Sequence, residues 1–207
     1  FFLQKGLVGW GILLGTLGPL VWLTFRARDF DQAAVDWAIT IASPFYLGWT
    51  LGHLIPLREF AGGLVWAGAA LLGTWAADTG AYFAGRAFGR HKLYPRISPG
   101  KTWEGVAGGA GLAVVALVAL FYLSQVYGWV TTPASVVPLW AHGLPLGLLI
   151  ALAAVLGDLA ESFLKRATGV KDASHLIPGH GGLLDRLDSL VFCVPVVYYD
   201  LVWFVLS

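Results

Sequence analysis

The sequence predicts an all-α protein, a polytopic transmembrane bundle of about six helices. Three observations carry this. Of 207 residues, 57% are hydrophobic and only 12% charged, against about 25% charged in globular proteins. Charge-free runs of about 20 residues, enough to cross a bilayer as a helix, recur along the chain. Those runs lack the period-two alternation of a membrane barrel.

Taken in order, the first run is Gly6–Phe25, the second Trp37–Leu57 and the third Phe60–Ala77. A longer one, Gly105–Gly157, is broken by Gln125, Thr131, Thr132 and Pro133, and so reads as two helices. The last covers about Leu183–Leu206. Turns are expected near residues 26–36, 56–60, 86–103, 128–140 and 166–182. Residues 1–60 read as N-terminal packing helices and 61–207 as a catalytic transmembrane unit. Gly48/Gly52 and Gly105/Gly109 have the spacing that lets helices approach closely. The ten Trp supply interfacial anchors. Cys193 stands alone in an apolar run, so no intrachain disulfide is possible and a small buried hydrophobe is expected. No basic stretch with a following cleavage site marks a signal peptide. The chain opens on Phe1 and contains no Met, so it is expected to begin within a longer gene product.

Basic residues orient the helices. Placing alternate connections together puts Arg26, Arg28, Arg86, Arg90, Lys92, Arg96, Lys101, Lys165, Arg166, Lys171 and Arg186 on one side. Lys5 and Arg58 remain for the other, eleven against two. That asymmetry makes the first side cytoplasmic. His53 and His142 fall on the opposite side and read as isolated.

Two polar segments break the apolar pattern. The second, residues 158–189, gathers Asp158, Glu161, Lys165, Arg166, Lys171, Asp172, His175, His180, Asp185, Arg186 and Asp188. Ionisable residues near membrane depth are costly and read first as functional. Asp158, Glu161, Ser162 and Lys165 share one helical face. Asp185, Asp188 and Ser189 repeat the pattern on the next helix. Between them, Pro178–Gly182 is a flexible turn whose N–H groups can approach an anion. In the first segment, Asp78, Tyr82 and Arg86 lie at i, i+4 and i+8. Ser98-Pro99-Gly100-Lys101-Thr102 offers a turn leading into a helix near Glu104, a natural anion site. It is no Walker A loop, because Pro95 stands where the first Gly should be.

Carboxylates with phosphate-directed cations suit Mg2+, whereas zinc would want His or Cys at ligand spacing, and no HExxH or CxxC is present. The plainer reading of Asp158 and Asp185 is ion pairing with Lys165 or Arg186. Four carboxylates and several cations on one side of the membrane point instead to phosphoryl chemistry, which needs positioning and charge neutralisation rather than a protein nucleophile.

The run from Ser162 through Lys165-Arg166, Lys171-Asp172, Pro178-Gly-His180-Gly181-Gly182 and Asp185-Arg186-Leu-Asp188 closely resembles the signature of phosphatidate cytidylyltransferases, the CDP-diacylglycerol synthases. Asp78-Thr-Gly-Ala-Tyr82 and Ser98-Pro-Gly-Lys101-Thr102-Trp-Glu104-Gly105 resemble that family's upstream motifs. The resemblance covers about residues 70–207; the first 60 match only as hydrophobic helices. It implies transfer of the cytidylyl group of CTP to phosphatidic acid, giving CDP-diacylglycerol and pyrophosphate for phospholipid biosynthesis. Implied with it are Mg2+, a possible second cation, a bacterial inner membrane and a site on the cytoplasmic face. By motif position, Asp158 and Asp185 would hold the metal. Lys101, Lys165, Arg166 and Lys171 would neutralise phosphates, and Asp188 would orient them or hold the second cation. Asp78, Tyr82, Ser98, Lys171, His180, Gly181, Gly182 and Arg186 would contact substrate. A homodimer is a further expectation, and nucleic acid is not an expected partner. The competing readings are another CTP-dependent membrane enzyme, such as a polyprenol kinase, and a transporter. A transporter would put its carboxylates near the midplane, often within repeats, and no repeat is evident.

Overall fold

A computed structural model describes residues 2–130, 138–170, 182 and 184–205. The chain folds as two compact units, residues 1–50 and 51–207. The first holds α1 (Phe2–Arg26) and α2 (Phe30–Ser43). Asp29 caps α2, its Oδ1 accepting from the backbone N–H of Asp31 at 3.0 Å and Gln32 at 3.2 Å, which satisfies donors that helix geometry leaves open. Trp37 Nε1 donates to the Thr16 carbonyl at 3.0 Å, tying α2 to α1. At Pro44, which lacks an N–H, the path loosens into a π-helical turn, Pro44–Trp49. No residue of α2 is buried.

The second unit begins with the short helix Leu54–Glu59 and continues through α3 (Gly63–Phe88), β1 (Lys92–Tyr94), β2 (Ser98–Thr102), α4 (Trp103–Val126), α5 (Leu139–Ala167) and α6 (Leu184–Asp200). A π-helical turn, Leu201–Val205, extends α6. Gly62, at φ +71°, makes the turn into α3, a conformation that favours glycine. The six long helices match the expected number. Among the described residues, α4, α5 and the stretch Leu184–Val205 are long and apolar enough to cross a membrane.

Several boundaries differ from those expected. Helix α2 begins at Phe30 and ends at Ser43. The run expected over Trp37–Leu57 is broken at Pro44, with a short helix through the expected turn at 56–60. Helix α3 does not stop near Ala77 but runs to Phe88, because Asp78, Tyr82 and Arg86 form one polar stripe along a helix that stays intact. The connection expected as a turn near residues 86–103 contains an antiparallel hairpin, pairing Lys92 with Thr102 and Tyr94 with Ser98. Strands of three and five residues are too short to show a period in sequence.

The core lies where α3, α4, α5 and α6 meet. Trp66 and Phe121 pack with ring centroids 5.0 Å apart, beside fully buried Leu117, Leu146, Ile150, Val194 and Val197. Small residues let the backbones close. A Cβ added at Gly157 would lie 2.5 Å from the Asp188 carbonyl oxygen, so glycine there permits the α5–α6 approach that brings the two acidic helix faces together. The Cys193 thiol is buried, as expected, 3.5 Å from the Ile150 carbonyl. The two histidines read as isolated are not. His142 Nε2 lies 2.6 Å from Asp200 Oδ2, joining the first turn of α5 to the end of α6. His53 is buried against the rings of Tyr198 and Tyr199.

Candidate active site

Helices α3, α4, α5 and α6 and strand β2 enclose a cavity of about 600 Å³, and all but α4 contribute charge to its wall. From α3 come Asp78, Tyr82 and Arg86, at the helical spacing the sequence predicted. The Arg86 Nη1 donates to the Tyr82 hydroxyl at 2.8 Å. Farther along the same stripe, Asp78 Oδ1 lies 3.3 Å from the Ser189 hydroxyl, which is also 3.3 Å from the Ala154 carbonyl.

Strand β2 delivers Lys101. Its Nζ reaches across to α5, 2.6 Å from Asp158 Oδ2 and 3.4 Å from the Val155 carbonyl. Two devices fix it. Thr102 caps α4, its Oγ1 accepting from Gly105 N at 3.1 Å. The Glu104 carboxylate accepts from the backbone N–H of Arg90 and His91 at 3.2 Å and meets His91 Nδ1 at 2.6 Å. The N–H of Trp103 closes the ring on the His91 carbonyl at 2.9 Å. The hairpin is thus pinned at its base to the start of α4.

On α5, Asp158 accepts a long bond from the Ser162 hydroxyl at 3.4 Å. One turn on, Glu161 is 0% exposed. Lys165 joins the two acidic helices, with Nζ 2.6 Å from Glu161 Oε2 and 2.8 Å from Asp185 Oδ1. The other oxygen of Asp185 accepts from Gly182 N at 2.7 Å. Asp188 Oδ1 accepts from Ser189 N at 2.6 Å.

Among the described residues, Asp158, Glu161 and Asp188 each offer an oxygen, and these atoms lie within 4.8 Å of one another. Two ligands on opposite sides of Mg2+ would stand about 4.2 Å apart, so a small inward turn closes the set. No hydrogen-bond donor reaches the buried Glu161 Oε1 among the described residues. A buried carboxylate oxygen without a donor is costly, and a hard cation satisfies it. The all-oxygen set therefore fits a divalent cation of the Mg2+ type.

Of the residues singled out in the sequence, Asp78, Tyr82, Lys101, Asp158, Asp185 and Asp188 line the cavity. Lys165 and Gly182 touch it through Asp185. Arg166, Arg186 and Ser98 are not among its wall residues; the two arginines are exposed, and Ser98 pairs with Tyr94 in the hairpin. Lys171, His180 and Gly181 lie outside the described residues. Asp158 and Asp185 are the carboxylates expected at a metal; in the structure Lys165 and Gly182 engage Asp185, and Glu161 and Asp188 each bring an oxygen within 4.8 Å of one on Asp158. Glu161 was legible as a member of the acidic face, but spacing alone does not reveal which oxygens lack donors. Glu104, Ser189 and Thr102 stood within the sequence motifs, and their partners show what each one holds.

Comparison with known proteins reaches farther along the chain than the resemblance over residues 70–207. The chain is 39% identical over 194 residues to a phosphatidate cytidylyltransferase of Bacillus subtilis, covering 93% of this chain and 66% of that protein. A protein of the same name from Synechocystis is 40% identical over 193 residues, 93% of this chain and 60% of that one. One from Haemophilus influenzae is 46% identical over 133 residues, 60% of this chain and 41% of that one. The chain thus spans less than two thirds of the length of these curated relatives. The profile of the cytidylyltransferase family matches residues 2–204, which takes in both units and every wall of the cavity, and the chain belongs to that family.

Proposed function

We propose that this chain transfers the cytidylyl group of CTP to phosphatidic acid, giving CDP-diacylglycerol and pyrophosphate. The observation that carries the reading is the convergence of Asp158, Glu161, Asp188 and Lys101 in one cavity of a cytidylyltransferase-family chain. The names of the relatives support the choice of lipid.

In this reaction an oxygen of the lipid phosphate forms a bond to the α-phosphorus of CTP, and the bond from that phosphorus to the β-phosphate oxygen breaks. No protein nucleophile is required, only alignment and neutralisation of charge. Asp158, Glu161 and Asp188 would hold a divalent cation, which supplies charge neutralisation at the phosphates when bound. Lys101, resting on Asp158 at 2.6 Å, is placed to exchange that carboxylate for an entering phosphate oxygen. Lys165 is held between Glu161 and Asp185 and keeps the two acidic helices in register. Ser189 restrains Asp78 on the opposite wall. The Lys/Arg asymmetry supports a cavity open to the cytoplasm, where CTP is found. A lipid phosphate at headgroup level reaches the same depth with its tails still in hydrocarbon.

The test is purified chain in nanodiscs with phosphatidic acid, Mg2+ and CTP labelled on the α-phosphate. Label appearing in lipid with one pyrophosphate per turnover is the expected result. In a parallel assay with CTP labelled on the γ-phosphate, label in the lipid instead identifies a kinase, and solute flux without nucleotide turnover identifies a transporter.

A further inference from the structure

Among the described residues two cations line the cavity, Lys101 and Arg86, and they are in opposite states. Lys101 is already neutralised by Asp158 at 2.6 Å. Arg86 carries no carboxylate within ion-pair reach among the described residues; its hydrogen bond is to the neutral phenol of Tyr82 at 2.8 Å. A guanidinium has five N–H donors in a planar fork, so that bond fixes the side chain and leaves most of the fork free. Arg86 stands eight residues beyond Asp78 on one helical face, about 12 Å along the axis. It therefore marks the hairpin end of the cavity, where Gly85 packs on Thr102, while the carboxylates hold the other end. A cavity with a carboxylate cluster at one end and a braced guanidinium without a carboxylate at the other is built for an anion longer than a single phosphate group. Planar, bidentate recognition of phosphate is what an arginine fork does better than an ammonium.

We infer that Arg86, braced by Tyr82, is a phosphate-binding subsite that holds a substrate phosphate away from the reacting centre. The inference rests on the proposed cytidylyl transfer and adds to it a residue for ground-state binding. The ligand is a phosphate group, supplied either by the triphosphate of CTP or by the lipid headgroup, and the experiment separates the two.

The full chain in nanodiscs is compared with Arg86→Ala, Arg86→Lys and Tyr82→Phe. Initial rates are taken with CTP and phosphatidic acid varied separately. Binding of Mg-CTP, of pyrophosphate and of vesicles with or without phosphatidic acid is measured without turnover. Losing one charge-assisted contact should raise one KM about tenfold in Arg86→Ala, with kcat changed far less. Arg86→Lys should recover only part, and Tyr82→Phe should raise the same KM by a smaller factor, because the fork remains but loses its brace. A rise in the KM for CTP with weaker pyrophosphate binding assigns the triphosphate; a rise in the KM for phosphatidic acid with weaker vesicle binding assigns the headgroup. Both KM values within twofold of wild type in Arg86→Ala and Arg86→Lys overturn the inference, as does a fall in kcat alone. If Arg86→Ala fails to fold, Arg86→Lys and Tyr82→Phe carry the same comparison. Wild-type protein that binds these phosphates through Arg86 but forms no labelled lipid would keep the subsite and remove the proposed reaction; turnover indifferent to Arg86 would do the reverse.

Discussion

Glu161 and Asp185 divide the acidic cluster between two jobs. Glu161 is wholly buried with an oxygen that no donor reaches among the described residues, and its neighbours Asp158 and Asp188 face it within 4.8 Å. Asp185 is satisfied on both oxygens, by Lys165 and by Gly182 N. The two residues should therefore respond differently to conservative change. Glu161→Gln removes an anionic ligand, so the Mg2+ concentration for half-maximal rate should rise at least about tenfold, the scale of losing one contact to a charged group. Asp185→Asn should lower kcat by loosening Lys165, which keeps its ion pair with Glu161, while moving the Mg2+ requirement much less. A metal titration of both variants decides it, and equal shifts in the two would return Asp185 to the ligand set. Asp158→Ala removes both a ligand and the partner of Lys101, and should cost at least about two orders of magnitude in kcat.

Between elements, the site depends on two joints. At the first, Gly157 lets α5 approach α6, and a Cβ would come within 2.5 Å of the Asp188 carbonyl and 3.0 Å of the Ser189 Cα. Both neighbours are backbone, so the clash is relieved only by parting the helices. Gly157→Ala should cost about 1–3 kcal/mol of stability, the usual range for overpacking. It should also lower activity more than thermal stability, because it moves Asp188 away from Asp158. Thermal unfolding in detergent and the rate, measured on one preparation, check this. At the second joint, Glu104 gathers the N–H groups of Arg90 and His91 and the His91 ring. Glu104→Ala should loosen the hairpin that carries Lys101, seen as faster proteolysis within residues 89–97 and a raised KM for CTP. Unchanged cleavage there would mean that the β1–β2 ladder alone holds the strand.

For the molecule as a whole, the proposed cation and nucleotide would bind a cavity walled by helices α3, α4, α5 and α6, which pack together only in the folded state. Any ligand that binds only the folded state raises its apparent stability by mass action. EDTA should abolish turnover, Mg2+ should restore it, and Mg2+ with CTP should raise the melting temperature of the full chain more than CTP alone. The same melting temperature in all three conditions would deny a metal-dependent nucleotide site.

Amino-acid order alone determined the class of this protein, because long charge-free runs leave the backbone one way to satisfy its hydrogen bonds in hydrocarbon. It also marked Asp78, Lys101, Asp158, Lys165 and Asp188, since charges in so apolar a chain stand out by their rarity. What spacing could not supply was partnership. Lys165 meets both Asp185 and Glu161. Only the folded chain shows that Gly182 satisfies the second oxygen of Asp185 while none of the described residues does so for Glu161. How Arg86 is held depends on a phenol one turn before it. The hairpin that places Lys101 is too short to have a period, and it is held by hydrogen bonds between Glu104 and residues 13 and 14 positions earlier. Such bonds are long-range in sequence and local only after the helices pack, and for that reason the tertiary structure decided them.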